Sequence, residues 1–223
     1  MRFSRLYLIP GIRERVAKAR FFFFVNINTQ RLNRSNDKTL IKLWDYSQSQ
    51  FKEYKSIRER IDFLVSSLAN TLRFTKNSRL LVLGPRYETE IFGYLGLGFR
   101  KQNVAAVDSF SYSKLVKVGN IHNLPFNEET FDVVMCGWTL AYSDDIRLAF
   151  QQIHKVLRPR GVLIFSFDLQ EEGIPQSLIE LRIPDHTSPL SNSFGGLFEI
   201  RNYFIGKTSW SSTNICCISL QKL

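Results

Sequence analysis

Beyond Arg79 the chain switches repeatedly between short unbroken apolar runs and stretches in which apolar residues recur at three and four. Leu80 to Leu83 is the first run. It breaks at Gly84 into a short polar turn, and an amphipathic stretch follows from about Glu88 to Leu97, with Gly96 and Gly98 marking its end. Strand, turn and helix are the elements this pattern predicts. Val104 to Val107 predicts a second strand, ending on Asp108; Phe131 to Cys136 and Val162 to Phe167 predict two more. Between these last two, Asp144 to Leu157 reads as an amphipathic helix with Ser143 as its N-cap and Arg158, Pro159, Arg160 and Gly161 as its stop. One interval is too short for the rhythm. Gly119 comes only eleven positions after Asp108, too few for a crossover helix and a further full strand, so SFSYSKLV is expected to form a loop or a single turn. After Asp168 the pattern changes: Glu171 to Pro189 reads as loop with a short helix near Gln176 to Leu181. Leu197 to Ile205 and Asn214 to Leu220 then close the chain as an antiparallel hairpin. Strands alternating with helices make the class α/β, with a mostly parallel sheet covered on both faces.

Ahead of Arg79 the pattern is helical. From Phe51 to Leu72, Tyr54, Ile57, Ile61, Leu64, Val65, Leu68 and Leu72 form one continuous stripe that should cover the sheet. From Ile12 to Phe23, Ile12, Val16, Ala19 and Phe23 fall at helical spacing while Arg13, Arg15, Lys18 and Arg20 take other positions, which predicts a basic amphipathic helix. Asn26 to Lys38, rich in Asn, Arg and Ser, reads as a linker or mobile loop. The organisation expected is a basic extension over residues 1–50 and an α/β domain over 51–223, in which 51–72 is a covering helix, 79–167 the core and 168–223 a terminal loop and hairpin.

Charge sharpens this division. The net charge is +10 over 223 residues, yet Met1 to Ser78 holds 16 Lys and Arg against 6 Asp and Glu, whereas Arg79 to Leu223 holds 14 against 14. The entire excess precedes the α/β pattern, and suits a surface for something anionic. Three readings of the basic helix stand open: an interfacial helix on anionic lipid, an arm on nucleic acid, or a helix that packs its apolar stripe on the domain and solvates its charges. No apolar run approaches the roughly 20 residues that span a bilayer. Pro10 and the basic residues from Arg13 to Arg15 cut the first apolar patch short of a signal peptide, so a cytoplasmic protein, peripheral at the membrane under the first reading, is expected. Cys136, Cys216 and Cys217 form neither a CxxC pair nor an even disulfide framework, and read as reduced core thiols.

In an open α/β sheet, ligands bind beyond the carboxyl ends of the strands, which makes the turn from Gly84 to Glu88 the first candidate site. The run NIHNLPFNEETFDVVMCGWTLAYSDDIRLAFQQIHKVLRPRGVLIF, Asn120 to Phe165, resembles the class I S-adenosylmethionine-dependent methyltransferases of the group called type 11. It follows their order: a polar residue, LPF, an acidic loop, FDxV, a strand, a helix ending in VLxPGG, and another strand. The resemblance covers about Leu80 to Phe167. It implies a Rossmann-like, mostly parallel seven-stranded sheet of order 3-2-1-4-5-7-6 with an antiparallel last strand, and S-adenosylmethionine as cofactor.

Carried over by position, the resemblance implies a cofactor site of Gly84, Pro85, Arg86, Glu88, Asp108, Asn120, Ile121 and Trp138. The family's GxGxG loop stands here as GPRYE, with Gly84 at the first glycine, Arg86 and Glu88 at the other two, and Val82 in place of the usual acid before the loop. Non-glycine residues cost about 1 to 2 kcal/mol in a left-handed conformation, so either this loop takes another path or it offsets that strain. Arg86 is a candidate for the methionine carboxylate, since a guanidinium fork matches a carboxylate, with Glu88 accepting from the ammonium. The competing reading has Glu88 and Glu90 complementing the positive end of a helix, with Arg86 solvated. Asp108 falls where the family binds the ribose hydroxyls, against the plain alternative of a turn aspartate, and Asn120 with Ile121 falls beside the adenine. The shortened stretch after Asp108 would leave that side more open. Gly137, Trp138, Thr139 and Tyr142 fall at the strand end facing the methyl donor, although Trp138 serves equally as packing.

Methyl transfer rests largely on alignment, so a general base is optional. His122, Tyr142 and Asp144 are conceivable bases, none singled out, and His154 is expected on a helix surface. Zinc spacing, a P-loop and a serine nucleophile motif are missing from the sequence. The leading expectation is methyl transfer to an O or N acceptor of a small molecule, glycan or lipid-linked intermediate. Its rivals are a methyltransferase-like binding or scaffold protein without catalysis, and a nucleic-acid methyltransferase.

Overall fold

The computed structural model of the chain describes residues 3–32, 54–71, 74–169, 196–207 and 214–223. The expected helix near Gln176 to Leu181 and the loop around it lie outside these residues. Seven strands, β1 (Leu80–Leu83), β2 (Val104–Asp108), β3 (Lys117–Val118), β4 (Phe131–Cys136), β5 (Leu157–Leu169), β6 (Phe198–Lys207) and β7 (Asn214–Lys222), form one sheet. Its order is β3-β2-β1-β4-β5-β7-β6. The pairs from β3 through β5 are parallel, and β7 runs antiparallel to both β5 and β6. The order matches the expected one. The eleven-position interval is accommodated by reducing β3 to two residues after a turn, with no crossover helix.

The apolar runs are strands because both faces are covered. Side chains alternate across a strand, so Leu80 and Val82 of β1, with Val133 and Met135 of β4, enter one core, while Leu81 and Leu83, with Val134 and Cys136, enter the other. The first core is closed by α1 (Pro10–Leu32), α2 (Tyr54–Thr71) and α3 (Glu88–Leu97), the second by α4 (Ile146–Val156). Ile61, Leu64, Val65 and Leu68 of the predicted α2 stripe are buried. Two glycines set how closely α3 is approached. A Cβ on Gly93 would lie 2.7 Å from Val65, and one on Gly96 would lie 2.9 Å from the backbone of the 3-10 turn Phe3–Leu8. Gly96 is therefore a packing residue, and Gly98 alone, at φ 115°, makes the left-handed helix stop. All three cysteines are free and buried, and burial pushes the Cys136 and Cys216 thiols up to about 12.

Four expectations need correction. Residues 26–32 are helix, not linker, because α1 continues to Leu32 with no Gly or Pro to stop it; residues 33–38 lie outside the described part. The N-cap of α4 is Asp145, whose side chain accepts from the Leu148 N–H at 2.9 Å, and not Ser143. Arg158 to Gly161 does not separate helix from strand: β5 begins at Leu157 and carries an irregularity between the Phe131 and Val133 pairings, where Arg160 takes φ 62°. Lastly, the reading in which α1 packs its apolar stripe on the domain holds only in part. Arg13, Ala17 and Phe21 are buried, Ile12 and Val16 are half-buried, and Ala19 and Phe23 are exposed.

Polar ties hold the edges of the sheet. Asp132 accepts from the Arg79 backbone N–H at 2.6 Å and from Arg158 Nη1 at 2.8 Å, joining the starts of β1, β4 and β5. Buried Lys222 on β7 donates to the carbonyls of His154 and Leu157 at 2.9 and 2.8 Å, satisfying the open end of α4.

Candidate functional site

Parallel pairing sets three strand ends level. Leu83 stands opposite Val107 on one side and Cys136 on the other, so the next residues, Gly84, Asp108 and Gly137, form a row along the carboxyl edge of the sheet. The Gly84 N–H donates to the Val107 carbonyl at 2.8 Å, drawing the turn against the strand that ends in Asp108. Gly84 sits at φ +65°, and a Cβ there would lie 1.8 Å from Thr139 Oγ1. Glycine is thus required both by conformation and by space. Thr139 is held in place by donating to the Leu83 carbonyl at 3.2 Å.

The altered loop avoids strain by following another path. Among the described residues the non-glycine positions at positive φ are Glu129 and Arg160, so neither Arg86 nor Glu88 is left-handed. Pro85 is buried, Tyr87 is the N-cap position, and Glu88 is already the first residue of α3.

Arg86 and Asp108 act on each other electrostatically. Burial pushes the Asp108 carboxyl up to about 6, opposed by hydrogen bonds from Ser109 and Phe110 and by the Arg86 guanidinium. The Ser109 hydroxyl lies 3.3 Å from Asp108 Oδ1. A half-buried carboxylate at a strand end is an acceptor of the kind that suits a diol.

Glu88 is placed differently from the expectation. Its side chain is fully buried, with Arg20 Nη2 of α1 donating to Oε1 at 2.9 Å, Arg20 Nε to Oε2, and the Ser113 hydroxyl to Oε1 as well. In this arrangement it is not presented to the crevice, and its oxygens serve α1 and the β2–β3 turn. The Glu88 N–H donates to the Tyr112 hydroxyl at 3.1 Å, and the Tyr112 ring meets Phe21 of α1 edge-on at 4.9 Å. Burial raises the Tyr112 phenol above its usual range, keeping it neutral. The stretch 109–116 is therefore a packed turn, with Tyr112, Ser113 and Val116 buried. Glu90 accepts from the Tyr94 hydroxyl at 3.0 Å.

The remaining candidates lie on two loops. Asn120, expected beside the adenine, is exposed, and its Oδ1 accepts from the His122 N–H at 2.8 Å, so its side-chain carbonyl already closes a local turn. Ile121 is half-buried against the second core. His122 Nε2 and Ser143 Oγ are 2.7 Å apart, joining the loop after β3 to the loop after β4. Trp138 opens a 3-10 turn, Trp138–Tyr142, and leans toward Phe63 of α2 with ring centroids 6.5 Å apart. Gly137 is buried under Leu64, while Tyr142 and Asp144 are exposed. His154, half-buried on α4, meets Phe198 edge-on, and burial lowers its pKa.

Sequence reasoning missed Arg20, Tyr112 and Ser113. A signal for Arg20 existed: Arg13, Ala17, Arg20, Phe21 and Phe24 also fall at helical spacing, a stripe broken by two arginines and passed over for a cleaner one.

Comparison with known proteins supports the fold. The methyltransferase domain family matches residues 94–165. Malonyl-[acyl-carrier protein] O-methyltransferase 1 of Coxiella burnetii is 34% identical over 84 residues, 38% of this chain and 27% of that protein. The human arginine-hydroxylase NDUFAF5, mitochondrial, is 46% identical over 41 residues, 18% of this chain and 12% of that protein. The chain thus spans little more than a quarter of these relatives at most. An S-adenosylmethionine-dependent methyltransferase from Mesorhizobium loti superposes with a TM-score of 0.51 at 14% identity, covering 70% of this chain and 96% of that one. The chain has the fold of the class I methyltransferases, and its segment 94–165 matches the methyltransferase domain family.

Proposed function

We propose that the protein binds S-adenosylmethionine at the carboxyl edge of β1, β2 and β4 and transfers its methyl group to an O or N acceptor of a small molecule, glycan or lipid-linked intermediate. The observation that carries this is the row of Asp108, Gly84 and Gly137 along the carboxyl edge: a carboxylate beside two consecutive positions without side chains. When bound, the cofactor supplies a methyl group on an electrophilic sulfonium. Asp108 accepts from the two ribose hydroxyls, and Arg86, close enough to influence Asp108, pairs with the methionine carboxylate. Ile121 offers an apolar wall to the adenine and Trp138 one to the methyl-donor side. The Coxiella relative's name supports the O-acceptor branch.

A second reading, a methyltransferase-like scaffold without catalysis, is favoured by one observation: Glu88 is committed to Arg20 and Ser113. Titration calorimetry with S-adenosylmethionine and S-adenosylhomocysteine separates the two. The enzyme reading expects both to bind in the micromolar range and Asp108→Ala to abolish the heat. Absence of heat and of thermal stabilisation from either ligand, with the protein folded, overturns it in favour of the scaffold.

A further inference from the structure

We infer that the outward face of α1 is a docking surface for an anionic lipid bilayer. The inference stands apart from the methyl-transfer reading, because it rests on residues remote in sequence from the crevice.

The argument begins with which face the fold buries. Ile9, Ile12, Val16, Ala19 and Phe23 follow one another at three, four, three and four, so they lie along one line of the helix and its approach. An apolar stripe of this kind ordinarily faces the core. Here α1 is rolled so that this stripe lies along the flank of the core contact. Arg13, with 1% of its surface exposed, pairs with Asp62 of α2, and Arg20 reaches Glu88 of α3, so two guanidinium groups point inward beside Ala17 and Phe21. Those part-buried pairs leave the ends of the stripe outside, Ile9 at 50% and Phe23 at 60% exposure, with Ala19 exposed and with Ile12 and Val16 half-buried at the margin of the core. Phe22 at 60% and Leu8 at 46% widen the same surface. From Ile9 to Phe23 it runs about 20 Å at 1.5 Å per residue.

Charge identifies the occupant. Arg5 and Arg15 are exposed beside this surface, and Lys18 is half-exposed at its edge. The single acid of α1, Glu14, is half-buried and stands one turn before Lys18, at the edge of this surface, where the basic residues outnumber it. Phenylalanines set among arginines match the boundary of an anionic membrane, where rings enter the acyl region and guanidinium groups stay among the phosphates. A second copy of the chain fits less well, since an isologous contact would bring the exposed basic residues of both copies into one interface. Among the described residues, no helix is long and apolar enough to cross a membrane, so the contact is with the surface of the bilayer.

Sedimentation of the full chain with vesicles tests this. The chain should pellet with vesicles of mixed phosphatidylcholine and phosphatidylglycerol, stay in solution with phosphatidylcholine alone, and be released by salt. Phe22→Ser with Phe23→Ser should abolish pelleting, and removing a single charge through Arg15→Gln should weaken it about fivefold. These positions are exposed, so the thermal midpoint should hold. Should the double variant fail to fold, Phe23→Trp reports instead, through quenching by brominated acyl chains beyond that of the parent protein. A folded chain that ignores anionic vesicles overturns the inference, as does pelleting that the double variant leaves unchanged. A concentration-dependent dimer that the double variant dissociates, without vesicle binding, assigns the face to a second copy and likewise overturns it.

Discussion

If Asp108 holds the ribose as proposed, it ties cofactor binding to pH. Burial raises its carboxyl to about 6 in the free protein, opposed by Ser109, Phe110 and Arg86. Ribose hydroxyls donate to the ionised form, so binding selects the carboxylate and expels the proton. The sign follows: affinity for S-adenosylhomocysteine should be level above about pH 7 and weaken as pH falls through 6, approaching tenfold per unit for one linked proton. Calorimetric titrations from pH 5 to 8 check this, and Asp108→Asn should bind weakly with a flat profile. A wild-type affinity that does not change with pH would remove Asp108 from the cofactor. At the same edge Gly84 shows how a single atom matters, for the Thr139 hydroxyl occupies the space a methyl group would need.

At the scale of elements, the strand ends divide the labour. The carboxyl edge of the sheet holds the candidate site, and the opposite edge is held by Asp132, which links β1, β4 and β5 through Arg79 and Arg158. Asp132 and Arg158 are 33% and 44% exposed, so solvent screens their attraction, and Asp132→Ala should cost about 1 to 2 kcal/mol. Urea unfolding reads the loss, while affinity for S-adenosylhomocysteine well below the midpoint should be unchanged. A parallel fall in affinity would mean the two edges are coupled.

For the whole molecule, the decisive contact spans 68 residues: Arg20 of α1 on Glu88 of α3, with Ser113 from the β2–β3 turn as third member. Its two partners are unequal. Glu88 is fully buried, whereas the Arg20 side chain keeps 36% exposure. Arg20→Met strands a carboxylate in the core and should cost about 3 kcal/mol or more, because an uncompensated buried charge is the expensive outcome. Glu88→Gln leaves an arginine free to turn toward water and should cost less, and the double variant should recover part of the Arg20→Met loss. Equal single losses in urea unfolding would contradict this asymmetry.

Much of the fold was legible along the chain, because strand length, helical spacing and turn residues act locally. β1, α3, β2 and β4 appear at their expected places, and the family resemblance carried by Asn120 to Phe165 implied the order the sheet has. Asp108 and Gly84 could be picked out as strand-end residues for the same reason. What the chain alone left open were choices between faces and partners. Two helical stripes coexist in α1, and the tertiary structure buried the one bearing Arg13 and Arg20, because Asp62 and Glu88 stood ready to neutralise them. Whether Glu88 served a ligand or the fold, and whether 109–116 was open or packed, depended on groups brought together from α1, α3 and the β2–β3 turn. Local preferences determine elements; long-range pairing of buried charges decided which surfaces those elements leave to solvent.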